Sequence, residues 1–366
     1  MRRKFFIGVL LHFTVSEICV LTAQKIYLPE RTSYVIYRTA EEMKIDGKTE
    51  EKNWLLAPWT SWFQDIEGDV HAQVPRFRTR VKMLWDDEYL HVFAELEESD
   101  LWATITQRDA VIFHDNDFEI FIDPDGDTHY YYEIELNAFN TVWDLFLSRP
   151  YRDGARPLTS WNLVGLKTAV SLQGTLNNPN DRDTSWTVEI AIPFRGLTEY
   201  SWGGKPRSGD QWRLNFSRVE WKTTVVDVRY VKETDPATGK PCREDNWVWS
   251  PIGAVDMHRP ERWGFVQFSD ILAGHGVQPF FFDPENEVKD ELRNLYYAQR
   301  EYALREGHYA SSLRELKKSQ LLSFPLAFNP ELKSTFTLYE IIASRTNSSW
   351  QWHIDQSGRV WCTKGE

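Results

Sequence analysis

From about Tyr34 to Asp270 the chain alternates apolar and polar positions in short runs separated by turn residues. In RVKMLWDDEYLHVFAEL, Val81, Met83 and Trp85 share one face, Asp86-Asp87 makes a turn, and Leu90, Val92 and Ala94 share one face after it. FEIFID and YYYEIELN predict the next hairpin, and DTSWTVEIAIPF and DQWRLNFSRVEW repeat the alternation through Trp186–Ile192 and Trp212–Phe216. Pro193 closes its strand because proline cannot continue a ladder, and FRGLTEY after it predicts a one-turn helix. Many short strands with few helical signals predict an all-β, antiparallel β-sandwich of jelly-roll type.

The period changes near Gly274. Val288, Leu292, Leu295, Tyr296, Gln299, Tyr302 and Ala303 recur at helical spacing, and Gly307 stops the run. FTLYEII, WQWHI and RVWC follow, with Asp355-Gln356-Ser357-Gly358 as a hairpin turn. A small C-terminal α+β extension over residues 284–366 is therefore expected beyond a sandwich over residues 34–270.

Composition adds three constraints. The chain holds 17 tryptophans, 15 tyrosines and 21 phenylalanines, enough to fill a large sheet and to leave flat platforms for a ligand. The start, MRRKFFIGVLLHFTVSEICVLTAQ, has a basic end and a short apolar run, which predicts a signal peptide over residues 1–23 and a secreted, periplasmic or cell-surface protein. Cys19 suits lipidation poorly after Ser16-Glu17-Ile18, and nothing later is apolar enough to span a bilayer. The net charge of −12 argues against a nucleic-acid partner. A disulfide between Cys242 and Cys362 is permitted outside the cytosol but not required.

KIDGKTEEKNW, RVKMLWDDEYLHVFAEL, DNDFEIFIDPDGD, SWTVEIAIPF, RLNFSRVEW and WSPIGAVDMHRPERWGFVQF follow one another in an order that resembles the family 9 carbohydrate-binding modules, from roughly Ile45 to Phe268. The resemblance implies a non-catalytic sandwich that holds a sugar, with calcium ions supporting loops. It places one aromatic clamp position on Phe113 and the other on Met257, or on Trp249 if the loop has slipped. Glu119 matches a retained carboxylate, Glu135 stands where the family has arginine, and Ser217 stands where it has glutamine, close to Asn215 and Arg218. Asn116 and Asn137 complete the expected sugar contacts. Met257 for a tryptophan and Glu135 for an arginine imply a changed ligand preference.

Read from the residues alone, several of these positions stay open. Phe113 is a ligand platform or a loop-packing aromatic. Glu119 faces away from Phe118 and Ile120, so it is a ligand contact or a surface charge. Trp247 and Trp249 share a face that is either core or outer surface. Asp123, Asp125 and Asp127 offer three carboxylates to Ca²⁺, although DPDGD suits a tight acidic turn equally well. Glu119, Glu133 and Glu135 lie on neighbouring strands, but no recognisable catalytic set accompanies them, so an enzyme is not expected.

The leading expectation is a secreted protein that binds poly- or oligosaccharide beside a glycoside hydrolase or a cell-surface partner, without catalysis. An alternative is a cell-surface structural subunit whose sandwich has lost sugar binding. A third, a haem sandwich, requires opposed axial ligands drawn from Met257, His258, Met83 and His114.

Overall fold

The alternating runs fold as β1 (Ser33–Arg38), β2 (Gln64–Asp65), β3 (Thr79–Trp85), β4 (Tyr89–Glu97), β5 (Asp117–Asp123), β6 (Tyr131–Asn137), β7 (Val142–Leu147), β8 (Lys167–Gln173), β9 (Ser185–Pro193), β10 (Gln211–Glu220), β11 (Thr223–Val226), β12 (Arg229–Lys232), β13 (Asp245–Val248) and β14 (Gly264–Leu272). The computed structural model describes residues 30–68, 73–322 and 324–365, so the expected signal peptide and Cys19 lie outside the described residues. All these strands except β11 and β12 join one sheet in the order β7-β6-β5-β10-β14-β1-β3-β4-β9-β8, with β13 branching from β10 and β2 pairing with β13. Phe118, Ile134 and Phe216 from one half share a core with Met83, Val92 and Ile190 from the other, so the sheet curls over itself into a sandwich.

One strand departs from the antiparallel expectation. β1 lies between β14 and β3 and runs parallel to both, pairing Tyr34 with Val266 and Tyr37 with Leu84. Alternation along a strand carries no information on the direction of its neighbour, so only the long separation of β1 from β14 allowed this pairing. The predicted turn at Asp86 is present: its Oδ1 accepts from the amides of Glu88 and Tyr89.

Both faces of β5 and β6 are buried. Phe118, Ile120 and Ile122 point into the shared core, while Phe121 points outward into a second apolar cluster with Ile112, Tyr131, Trp143, Met257 and Trp263. The loops around residues 105–113 and 252–263 supply that cover. The clusters separate Met83, in the inner core, from Met257, in the outer cluster, so these two methionines do not face one another as a ligand pair.

Beyond the sandwich, α3 (Glu285–Glu306) follows α1 (Lys52–Leu56) and α2 (Phe194–Leu197), and α4 (Leu313–Lys318) precedes a four-stranded sheet of β15 (Glu331–Ser334), β16 (Tyr339–Ala343), β17 (Trp350–Asp355) and β18 (Val360–Lys364). Val288, Leu292, Leu295 and Tyr296 pack on Ile341, Ile354 and Val360 as a core of their own, each such burial contributing about 1.5–3 kcal/mol. Gly307 ends α3 with φ +78°, a conformation that favours glycine. Cys242 and Cys362 remain separate thiols. Among the described residues, no helix is long and apolar enough to cross a membrane.

The acidic turn after β5 is the place where this extension docks. All six carboxylate oxygens of Asp123, Asp125 and Asp127 accept a hydrogen bond. The donors are the amides of Gly126, Thr128, Asp127, Trp202 and His129, and the Arg359 guanidinium. Val360 N–H also donates to the Asp127 carbonyl, and Thr128 Oγ donates to the Gly358 carbonyl. The turn thus holds the β17–β18 hairpin against the sandwich.

Candidate carbohydrate site

Antiparallel register places the expected sugar residues in rows. Glu119 pairs with Glu135 across β5 and β6, and with Ser217 across β5 and β10. Odd-numbered residues of β5 and β6 face outward, so Asp117, Glu119, Glu133 and Glu135 converge beneath the covering loops. None is more than 5% exposed. One carboxylate oxygen from each of Asp117, Glu119 and Glu135 lies within 4.8 Å of the other two. Burial first, then mutual repulsion, pushes Asp117, Glu133 and Glu135 well above the usual carboxylate range, and burial lifts Glu119 to about 7.

The cover is tied down from several sides. The Phe113 amide donates to Glu135 Oε2. Tyr131 hydrogen-bonds His258 Nδ1 at 3.0 Å, and burial holds that imidazole down at about 4, so it is neutral near pH 7. Tyr151 stacks edge-on against His258 with centroids 4.3 Å apart. Two expected sugar contacts act here as staples. Asn137 donates to the Ile105 carbonyl and to Asp115, while Asn215 accepts from the Ser250 amide and donates to the Ser250 carbonyl. Met257 sits in the covering cluster, and Trp249 is a correction: it lies in the inner core against Phe216. Phe113, Glu119 and Trp249 therefore do not share one hollow.

Arg218 is a second correction. It is fully buried, donates to Glu98 and Glu220, and lies below the sheet rather than at a ligand surface. Above that ion group a cleft of about 200 Å³ opens between Phe77 and Trp221, also lined by Arg76, Asn116, Asp100 and Thr223. Asn116 Oδ1 accepts from the Trp221 amide, and the Trp221 indole N–H donates to the Phe113 carbonyl, both at 2.8 Å. The loop bearing Phe113 and Asn116 thus meets an aromatic residue that the sequence reading passed over. Its signal was position: Trp221 directly follows the last residue of β10, where the alternation ends and a large side chain can leave the core.

Comparison with known proteins agrees with this architecture. Residues 45–269, well over half of the chain, match the family described as carbohydrate family 9 binding domain-like. Endo-1,4-beta-xylanase A of Thermoanaerobacterium saccharolyticum is 26% identical over 156 residues, which is 42% of this chain and 11% of that protein. Exoglucanase XynX of Acetivibrio thermocellus is 27% identical over 172 residues, which is 46% of this chain and 13% of that protein. The chain therefore spans only a small part of the length of these relatives. Among solved structures, a candidate carbohydrate-binding protein from Bacteroides uniformis superposes with a TM-score of 0.48 at 17% identity, over 66% of this chain and all of that one. A family 9 module from Caldicellulosiruptor kristjanssonii in complex with cellotriose gives 0.41 at 16% identity, over 68% of this chain and all of that one. By the extent of the family match, the chain belongs to the carbohydrate family 9 binding domain-like family.

Proposed function

We propose that this protein is a secreted, non-catalytic carbohydrate-binding protein that holds poly- or oligosaccharide for separate degrading enzymes, and that the cleft beside Trp221 receives the sugar. The observation that carries the reading is the meeting of Asn116 and the Phe113 loop with Trp221 at an open, polar and aromatic cleft within the family's domain. Aromatic surface suits the C–H face of a pyranose, and Asn116, Asp100 and Arg76 supply directional partners for hydroxyls.

Calorimetric titration of the full chain with glucose, cello-oligosaccharides and xylo-oligosaccharides tests it. Saturable binding to at least one of these is expected, weakened tenfold or more in Trp221→Ala, a loss of about 1.4 kcal/mol. Unchanged affinity in that variant would move the sugar elsewhere. Absence of binding across the panel favours the structural-subunit reading, which the burial of Glu119 and Glu135 already supports.

A further inference from the structure

Where the extension meets the sandwich, a cleft of about 310 Å³ opens between β10, β14, the turn at residues 125–126 and the start of α3. Two cations line it. Arg213, from β10, is only 7% exposed; its guanidinium carbon lies 3.6 Å from the Phe265 ring centroid, and its Nη1 donates to the Trp263 carbonyl. Lys289, from α3, holds its ammonium 4.2 Å from the Trp352 ring centroid. Among the described residues neither cation forms an ion pair, and Nε and Nη2 of Arg213 and the Lys289 ammonium have no hydrogen-bond partner. Nearby acids are committed elsewhere: Asp290 pairs with Arg31, Glu261 with Arg152, and both oxygens of Asp123 take amides. Burial, then the charge on Arg31, pushes Arg213 down to about 9, and burial, then the charge on Arg213, lowers Lys289. Two buried cations that repel one another, with no acid of their own, leave a place for an anion.

The rest of the lining narrows the kind of anion. Asp125, Asp210 and Asp283 also line the cleft and outnumber the cations, so a phosphate or sulfate with two charges would add to an acidic surplus. A single carboxylate carried on a polyhydroxylated ring fits better, since its charge goes to the cations while its hydroxyls donate to the acids. Asp210 and Asp283 each have one oxygen held by a local amide, of Arg207 and Glu285, and a second that takes no partner among the described residues. Phe281, 65% exposed, adds an apolar surface suited to a pyranose. Its backbone is fixed, because its amide donates to Gln267 Oε1 and its carbonyl accepts from Gln211 Nε2. The volume lies at the small end of ligand pockets, about 300–1,000 Å³, which suits one sugar ring.

We propose that this cleft binds the carboxylate-bearing pyranose ring of a uronic acid, with Arg213 and Lys289 taking the carboxylate and Asp210, Asp283 and Asn286 taking hydroxyls. It is a second sugar site, distinct from the cleft beside Trp221, and does not depend on that assignment.

Calorimetric titration of the full chain with glucuronic and galacturonic acid, each beside its neutral methyl ester, reads the charge requirement. Saturable binding of at least one acid is expected, at least tenfold tighter than its ester and weakened at least tenfold in Lys289→Gln and in Arg213→Gln. Trp221→Ala should leave it unchanged. Thermal unfolding keeps the test valid should Arg213→Gln fold poorly. Without ligand, Lys289→Gln should melt no lower than the parent, because a repelled charge is gone, and it should lose the rise in Tm that the acid gives the parent. No saturable binding of either acid overturns the proposal. So does equal binding of acid and ester, unchanged affinity in Lys289→Gln, or tighter binding of inorganic phosphate in the same cleft. Binding that vanishes in Trp221→Ala and survives Lys289→Gln would put the acid in the other cleft and overturn it as well.

Discussion

Replacing Arg152 with alanine is expected to cost about 3–5 kcal/mol and to release the carboxy-terminal extension from the sandwich. Arg152 is largely buried where the two parts meet. It donates to Glu261 Oε2 at 2.9 Å, to the His258 carbonyl at 3.0 Å and to the Tyr296 hydroxyl at 3.3 Å. Glu261 is also engaged by Tyr297, and Asp153 by Tyr296 and Arg300. Removing the guanidinium leaves a carboxylate buried with its main counter-charge gone, which is the expensive way to break an ion pair. Arg31→Ala makes the control. Its pair with Asp290 is half exposed on the acid's side, so a loss of about 1 kcal/mol or less is expected. Hydrogen exchange of the α3 amides and chemical denaturation measure both. A loss in Arg152→Ala no larger than that in Arg31→Ala would mean that apolar packing alone holds the extension.

The same pair sets a pH dependence. Burial alone would raise Glu261, but Arg152 and Arg293 more than reverse it and hold the carboxyl down at about 2. A carboxyl whose folded value is lowered from 4.5 contributes stability that is complete above that unfolded value and is lost as pH falls toward 2. Docking of the extension should therefore weaken between about pH 4.5 and 2. The His258 carbonyl is one of the Arg152 acceptors, so the loop that covers the carboxylate face should loosen in step.

Much of the sandwich was legible because alternation reports burial on one face of a strand. It reports less when both faces are buried. Glu119 reads as outward, and it is outward together with Glu135, but loops from distant parts of the chain lie over them, and no local pattern announces that. Trp249 failed for a related reason: parity groups it with Trp247 without saying which face is core. The DPDGD turn was legible as a turn, while its use as a docking surface for residues 357–360 depends on partners more than 200 positions away. Trp221 escaped notice because it ends a run instead of belonging to one.

Arg218→Ala is expected to destabilise the sandwich by about 3–5 kcal/mol, and the reason separates a floor residue from a ligand contact. Its Nη2 lies 2.9 Å from both Glu98 and Glu220, and its Nη1 donates to the Glu97 carbonyl at 2.7 Å and to Thr79 at 3.2 Å. With the arginine present, burial and the nearby Glu98 still push Glu220 up to about 8, so the guanidinium offsets only part of the cost of burying that carboxyl. Without it, two buried carboxylates face one another, and Arg76 at 3.5 Å from Glu220 is too exposed to replace it. Arg218→Lys should recover little, because one ammonium cannot span both acids and the two acceptors on β3 and β4. Arg218→Met combined with Glu98→Gln and Glu220→Gln should recover most of the loss, since buried charge and counter-charge leave together. Urea denaturation followed by tryptophan fluorescence reads all four proteins. A well-folded Arg218→Ala that loses only sugar affinity would return Arg218 to the ligand surface, whereas an unstable single variant rescued by the triple one fixes it as the charge-balanced floor of the cleft.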